Sequence, residues 1–214
     1  NRLSREWKDN NINLWYSISS PFSGLASAIL VSITGEINGV SKYLMFPDYV
    51  RQSVTSFPTI YFLYPSPPAF NKNFVIVETP NINYTIGNIS KQISETYNSE
   101  VSNICSLLPN IFIQNSPDVN MVCAYGIHVN TPSKIYMEKD LKSNHHKIEY
   151  SDGDGTVDHE SLSSCKYWIK ENSKPLEILE IENGEHHDLM KSEGLVSHFT
   201  RHIHNRNKFK LVIK

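Results

Sequence analysis

An α/β fold with a largely parallel sheet is what this sequence predicts, on three observations. Short apolar runs suited to buried strands recur along the chain, among them Leu14 to Ser19, Met121 to Ile127 and Leu176 to Ile181. Stretches of helical periodicity lie between such runs, so that strands alternate with helices over most of the length. Two polar, Gly-bearing turns follow directly on strands, which is where open α/β sheets carry their chemistry.

The elements follow in order. LWYSIS, Leu14 to Ser19, is a short strand ended by Ser20-Pro21. Phe22 to Ile33 is rich in small residues and reads as a helix closed by Gly35. From Lys42 to Phe70 the chain is expected to be irregular. Pro47, Pro58, Pro65, Pro67 and Pro68 stand there among many aromatics, the composition of a functional surface loop or cap. FVIVE, Phe74 to Glu78, is a strand. Ile89, Ile93, Tyr97, Val101, Ile104 and Leu108 fall at helical spacing and predict an amphipathic helix over Gly87 to Leu108. Strands are expected at Met121 to Ile127, Lys134 to Met137 and Lys147 to Tyr150, then a helix over Glu160 to Lys170. The strand LEILEI and a last helix over Asp188 to His204 complete the order.

Composition narrows the function classes. With 214 residues, one domain is the natural expectation. Lys and Arg total 20 against 22 Asp and Glu, and no basic stripe with interleaved aromatics occurs, so nothing points to nucleic acid. The longest apolar stretch, Gly24 to Ile33, is interrupted by Ser and too short to span a bilayer. The chain opens on Asn1 without a Met or a signal-peptide pattern, which predicts that residues preceded it and leaves secretion open. Three cysteines, Cys105, Cys123 and Cys165, allow at most one internal disulfide, with three possible pairings. Asn83-Tyr84-Thr85 and Asn88-Ile89-Ser90 are sequons that matter only in the secretory pathway.

Chemistry is expected in three places. Ser151 to Asp158, SDGDGTVD, is an acidic, Gly-rich turn directly after a strand, where a hydrolase would place the Asp that orients a His base. A calcium loop is the rival, with Asp152, Asp154, Gly155 and Asp158 at suitable positions. Tyr150 and Ser161 stand where its anchoring acids belong. Asn183 to Asp188, NGEHHD, follows the LEILEI strand, and strand, tight turn, His, helix is the placement of the base in α/β-hydrolases. The Asp turn precedes the His turn, as that triad order requires. In the last helix His198 and His202 share a face at i, i+4. No Glu sits between them, so they read with His204 as solvated histidines near a helix C-terminus, and no metal is expected.

Taken together, these segments resemble the C-terminal half of the lecithin:cholesterol acyltransferase family, which includes lysosomal phospholipase A2 and phospholipid:diacylglycerol acyltransferases. WYSISSPFSG, VETPNINYT, CAYGIHVNTP, YSDGDGTV, the segment from Cys165 to Trp168, and GEHHDLM carry the resemblance in order through nearly the whole chain. The resemblance implies the C-terminal part of an α/β-hydrolase fold. Residues 1–41 and 119–214 are then core, and 42–118 an inserted cap. It makes Asp154 the triad acid and His187 the base, with Asp152 and His186 the nearest misassignments. It pairs Cys123 with Cys165, favours Asn83 over Asn88 for glycosylation, and implies no cofactor. Gly-x-Ser-x-Gly, the family's nucleophile elbow, occurs nowhere in the 214 residues. The expected activity is therefore acyl-ester hydrolysis or acyl transfer on phospholipids at a membrane or lipoprotein surface. Its nucleophile would come from an N-terminal segment of the same precursor, and the chain alone would be inactive. The secretory pathway is the implied location. A lipid-binding module or pseudo-enzyme that keeps the fold without catalysis is the alternative.

Overall fold

In the computed structural model, which describes residues 3–36, 46–98, 100 and 115–204, the run MVCAYGI forms the middle strand of a three-stranded parallel sheet. The elements are α1 (Arg5–Asn11), β1 (Trp15–Ile18), α2 (Ala26–Thr34), α3 (Pro47–Ser56), α4 (Pro58–Phe62), β2 (Val75–Glu78), β3 (Asn83–Thr85), α5 (Ile89–Tyr97) and β4 (Met121–Ile127). They continue with β5 (Thr131–Met137), β6 (His146–Ser151), α6 (His159–Leu162), a 3-10 segment (Ser163–Trp168), β7 (Leu176–Glu182), a 3-10 turn (Leu189–Lys191) and α7 (Glu193–His204).

The order β1-β4-β7 is parallel throughout, in register from Trp15 opposite Met121 and from Met121 opposite Leu176. All seven residues of β4 are buried, as an unbroken apolar run requires of a strand covered on both faces. Met121, Cys123, Tyr125 and Ile127 pack against Leu162, Cys165 and Trp168 on one side. Val122 and Ala124 meet Leu189 and Leu195 on the other. Helical segments thus cover both faces, the α/β arrangement expected. On the first face a disulfide joins Cys123 to Cys165, with Cα atoms 6.7 Å apart. It spans a sequence separation of 42, a loop whose closure is worth about 4 kcal/mol on a chain-entropy account. Cys105 lies outside the described residues.

A second sheet of order β3-β2-β5-β6 was not expected. It is mixed: β2 runs parallel to β5 and antiparallel to β3, while β5 and β6 form a hairpin. Its apolar residues Ile76, Val77, Tyr84 and Ile135 share a core with Ile29 and Ile33 of α2 and with Ile89 and Ile93 of α5. The hairpin of 131–151 thus shares a core with α2 and with residues 76–93, although it lies between β4 and the Asp turn in sequence.

The Pro-rich stretch departs from expectation. Its residues 46–62 are largely helical, because Pro47 and Pro58 each occupy the first turn of a helix. There the fixed φ is pre-set for the helix and the missing N–H has no partner to lose. Residues 42–45 of that stretch lie outside the described residues, as do residues 101–108 of the expected amphipathic helix, whose described part is α5. The helix expected over Glu160 to Lys170 is one α turn followed by 3-10. Ser164 Oγ donates there to the carbonyl of Ser161, a local bond of the kind that competes with regular helix.

Candidate acid–base site

The Asp turn is held by its own carboxylates. Val129 and Asp154 form a parallel bridge just past the end of β4, and Val129 N–H donates to the carbonyl of Gly153. Gly155 takes φ +87, a conformation natural to glycine, and lets the chain fold back so that Asp154 Oδ1 accepts N–H groups from Thr156 (3.1 Å) and Val157 (2.8 Å). Asp152 Oδ1 accepts from His128 N–H and from Gly153 N–H. Asp158 Oδ2 accepts from Ala26 N–H at the start of α2. All three carboxylates are thus committed to backbone donors, a use of the loop unlike that of a calcium site, where they would face the ion.

The His turn is set by two glycines in contact. A Cβ on Gly126 would sit 1.8 Å from the carbonyl oxygen of Gly184, and one on Gly184 would sit 3.0 Å from Gly126 Cα. Only glycine at both positions lets the chain leaving β7 pass this close to the end of β4. Asn183 makes the preceding bend with φ 52, a left-handed conformation that Asn tolerates.

The turn delivers His186 to Asp154 twice. The His186 N–H donates to the Asp154 carbonyl oxygen at 2.8 Å, and His186 Nδ1 lies 2.8 Å from Asp154 Oδ2. The carboxylate is fully buried, while the imidazole remains 28% exposed. A carboxylate can only accept, so Nδ1 carries the proton and Nε2 is left with a free lone pair, the form of a general base. The bond to Asp154 raises the His186 pKa above its ordinary value, against the opposing effect of burial. His187, the base that the family resemblance implied, is exposed and is not bonded to Asp154; its ring meets the edge of His186 with centroids 5.4 Å apart. Of the two adjacent histidines, His186 is thus the one bonded to the Asp turn. The two histidines leave the turn in different directions, and only the structure says which one faces the Asp loop.

Around the pair lie groups that the sequence did not single out. Tyr125 Oη donates to Glu180 at 2.9 Å, His159 Nε2 is 3.7 Å from the same carboxylate, and His128 Nδ1 is 2.6 Å from Glu182. Asp158 is buried, and that burial pushes its pKa up to about 7. At the other end of β7, Glu177 meets His198 and His202, all three ligand atoms lying within 4.8 Å of one another. These two histidines are not the solvated pair expected, because β7 passes beneath α7 and supplies a carboxylate 21 residues upstream of His198.

The model of the lecithin:cholesterol acyltransferase family matches residues 1–113 and 107–204. The chain is 26% identical over 208 residues to the lysosomal phospholipase A and acyltransferase of Homo sapiens, covering 94% of this chain and 48% of that protein. It is 27% identical over 200 residues to the phosphatidylcholine-sterol acyltransferase of Oryctolagus cuniculus, covering 92% and 45%. It is also 27% identical over 206 residues to lecithin-cholesterol acyltransferase-like 1 of Arabidopsis thaliana, covering 95% and 46%. The chain spans about half the length of these relatives.

Proposed function

Because this chain belongs to the lecithin:cholesterol acyltransferase family, we propose that it supplies the acid and base of a serine-dependent phospholipid acyl-ester hydrolase or acyltransferase. The buried Asp154 bonded to His186 by both backbone and side chain carries this reading. A serine from a segment outside these 214 residues attacks the ester carbonyl and passes its proton to His186 Nε2. Asp154 fixes the tautomer and stabilises the imidazolium. The imidazolium then protonates the departing lyso-lipid oxygen. Water or a lipid alcohol, deprotonated by the same nitrogen, next attacks the acyl carbonyl, and the proton returns to the serine oxygen as its ester bond breaks. β1 is an edge of the parallel sheet, and the strand preceding the serine is proposed to pair there. Without that segment the chain is inactive.

Substrate is met at a lipid surface. Phe46 and Tyr49 are exposed and in edge contact at the start of α3, and Phe57 is exposed at its end, apolar rings suited to a membrane or lipoprotein interface. No helix among the described residues is long and apolar enough to cross a membrane. The secretory pathway suits the Cys123–Cys165 disulfide and the lysosomal name of the human relative. Asn83 is the favoured glycan acceptor. Both asparagines are exposed, but Asn88 accepts the N–H of Thr85 and the hydroxyl of its sequon Ser90 is buried.

The test uses the protein in its longest natural form, with phospholipid vesicles and a fluorophosphonate probe. Unmutated protein is expected to release or transfer acyl groups and to be labelled on serine. His186→Ala abolishes both, and His187→Ala retains both. Full activity in His186→Ala, or a protein that never labels, would sink the assignment, the latter leaving a lipid-binding pseudo-enzyme.

A further inference from the structure

The far end of β7 and the last helix hold side chains that the acid–base pair does not use. Strand alternation sends Glu177, with Leu179 and Ile181, to the face of the sheet that α7 covers. Glu177 is in register with Val122, and Val122 with Tyr16, so that Tyr16 and Glu177 flank a valine on one row of the sheet. Above this row stand His198 and His202, one turn apart on α7. His198 Nε2 lies 2.9 Å from Glu177 Oε1, and His202 Nε2 lies 3.5 Å from Glu177 Oε2. The second nitrogen of His198, Nδ1, is 3.0 Å from Tyr16 Oη.

We propose that Glu177, His198 and His202 bind a divalent transition cation of the zinc type, with Tyr16 as a positioning residue for His198. A tetrahedral zinc ion with bonds of about 2.0–2.1 Å holds its ligand atoms about 3.3 Å apart. The imidazole nitrogens stand 2.9 and 3.5 Å from the two oxygens of the Glu177 carboxylate, and one ligand atom from each of the three residues falls within 4.8 Å of the others, so a small inward shift closes the set on an ion. Two imidazole nitrogens and one carboxylate oxygen form a borderline donor set that favours zinc over calcium or magnesium, and water completes the shell. A ligating histidine ordinarily donates its other N–H to a fixed acceptor, and Tyr16 Oη is in place to receive that bond. An ordinary ion pair accounts for one imidazole on a carboxylate. Here two converge on it with ring centroids 4.7 Å apart, a spacing at which two imidazolium charges would repel.

The cation would join α7 to β7 at the end of the strand away from His186. Five residues, roughly 16 Å of extended chain, separate Glu177 from Glu182, where β7 gives way to the His turn. Its role is therefore to fasten the last helix to an edge strand.

Zinc titration of the protein against a competing chelator, with cobalt as a spectroscopic stand-in, tests the site. One equivalent is expected to bind, and His202→Ala and Glu177→Gln each weaken affinity at least about tenfold, with Tyr16→Phe weakening it less. His186→Ala retains binding, and calcium does not compete. Cobalt in the unmutated protein gives four-coordinate absorption bands, a readout independent of how well any variant folds. Absence of those bands would overturn the proposal, as would zinc binding that persists unchanged in both His202→Ala and Glu177→Gln.

Discussion

β7 has a histidine–carboxylate constellation at each end, and the two are built in opposite ways. Past its C-terminal end the carboxylate of Asp154 is buried, one oxygen held by two backbone N–H groups and the other by His186. Near its N-terminal end the carboxylate of Glu177 is half-exposed and meets two imidazoles. A buried acid held by fixed N–H donors is immobile, which is what a base needs from its orienting partner. An accessible acid shared between two imidazoles is free to take an ion from solution. The same residue types thus serve a fixed electrostatic role at one end and an exchangeable one at the other, and local backbone donors make the difference.

Removing the fixed pair should have the largest effect. In the longest natural form, Asp154→Asn and His186→Ala are expected to lower acyl turnover by about 10⁴-fold. Zinc affinity, measured on the same variants, should move less than about twofold, since well-separated sites behave independently. A change in both readouts would show that the two ends of β7 act as one unit.

Disturbing the approach of the two loops should come next. Gly126→Ala places a methyl 1.8 Å from the Gly184 carbonyl, and backbone on both sides leaves little room to yield. We expect a loss of about 3 kcal/mol in chemical denaturation, as for severe overpacking, together with weakened turnover because the His turn must retreat.

A smaller effect concerns pH. His186 must be neutral to act as a base, and Asp154 raises its pKa. The acid limb of kcat/KM should therefore lie above the ordinary histidine value of about 6.5, and the residual activity of Asp154→Asn should show a lower limb. The same pair contributes to stability in full below the unfolded histidine pKa, and that contribution fades as pH rises through the raised folded value.

Asp158 should give the smallest effect, of unusual sign. Burial raises its pKa to about 7, so folding favours the protonated acid. Its contribution is fully present below about pH 4 and is lost as pH climbs towards 7. Asp158→Asn keeps an acceptor for Ala26 N–H without the charge. It should be more stable than the unmutated protein at pH 8 and show no such advantage at pH 4. Thermal melts at the two pH values decide it.

What was legible in the sequence was local. MVCAYGI and LEILEI announced strands because a buried strand must be apolar along its length, and the Asp and His turns stood out because polar, Gly-bearing segments follow strands. What escaped depends on partners distant in sequence. The second sheet joins β2 to β5, more than fifty residues apart. Pro47 and Pro58 mark helix starts as readily as loops. Choosing between His186 and His187 required knowing which side of the turn faces residue 154, and the partner of His198 and His202 lay on a strand two elements earlier.

The His186 amide and ring both close on Asp154 across 32 residues of chain. No stretch of local sequence can preassemble this contact, and the entropy of closing so long a loop must be offset by the packing of the elements between. During synthesis the acid turn is complete well before its partner emerges, so a nascent chain carries an orienting acid with nothing to orient. The Asp154–His186 contact forms only when β7 adds to the edge of β4, so on the proposed function acyl turnover would report that the carboxyl-terminal part of the sheet has folded.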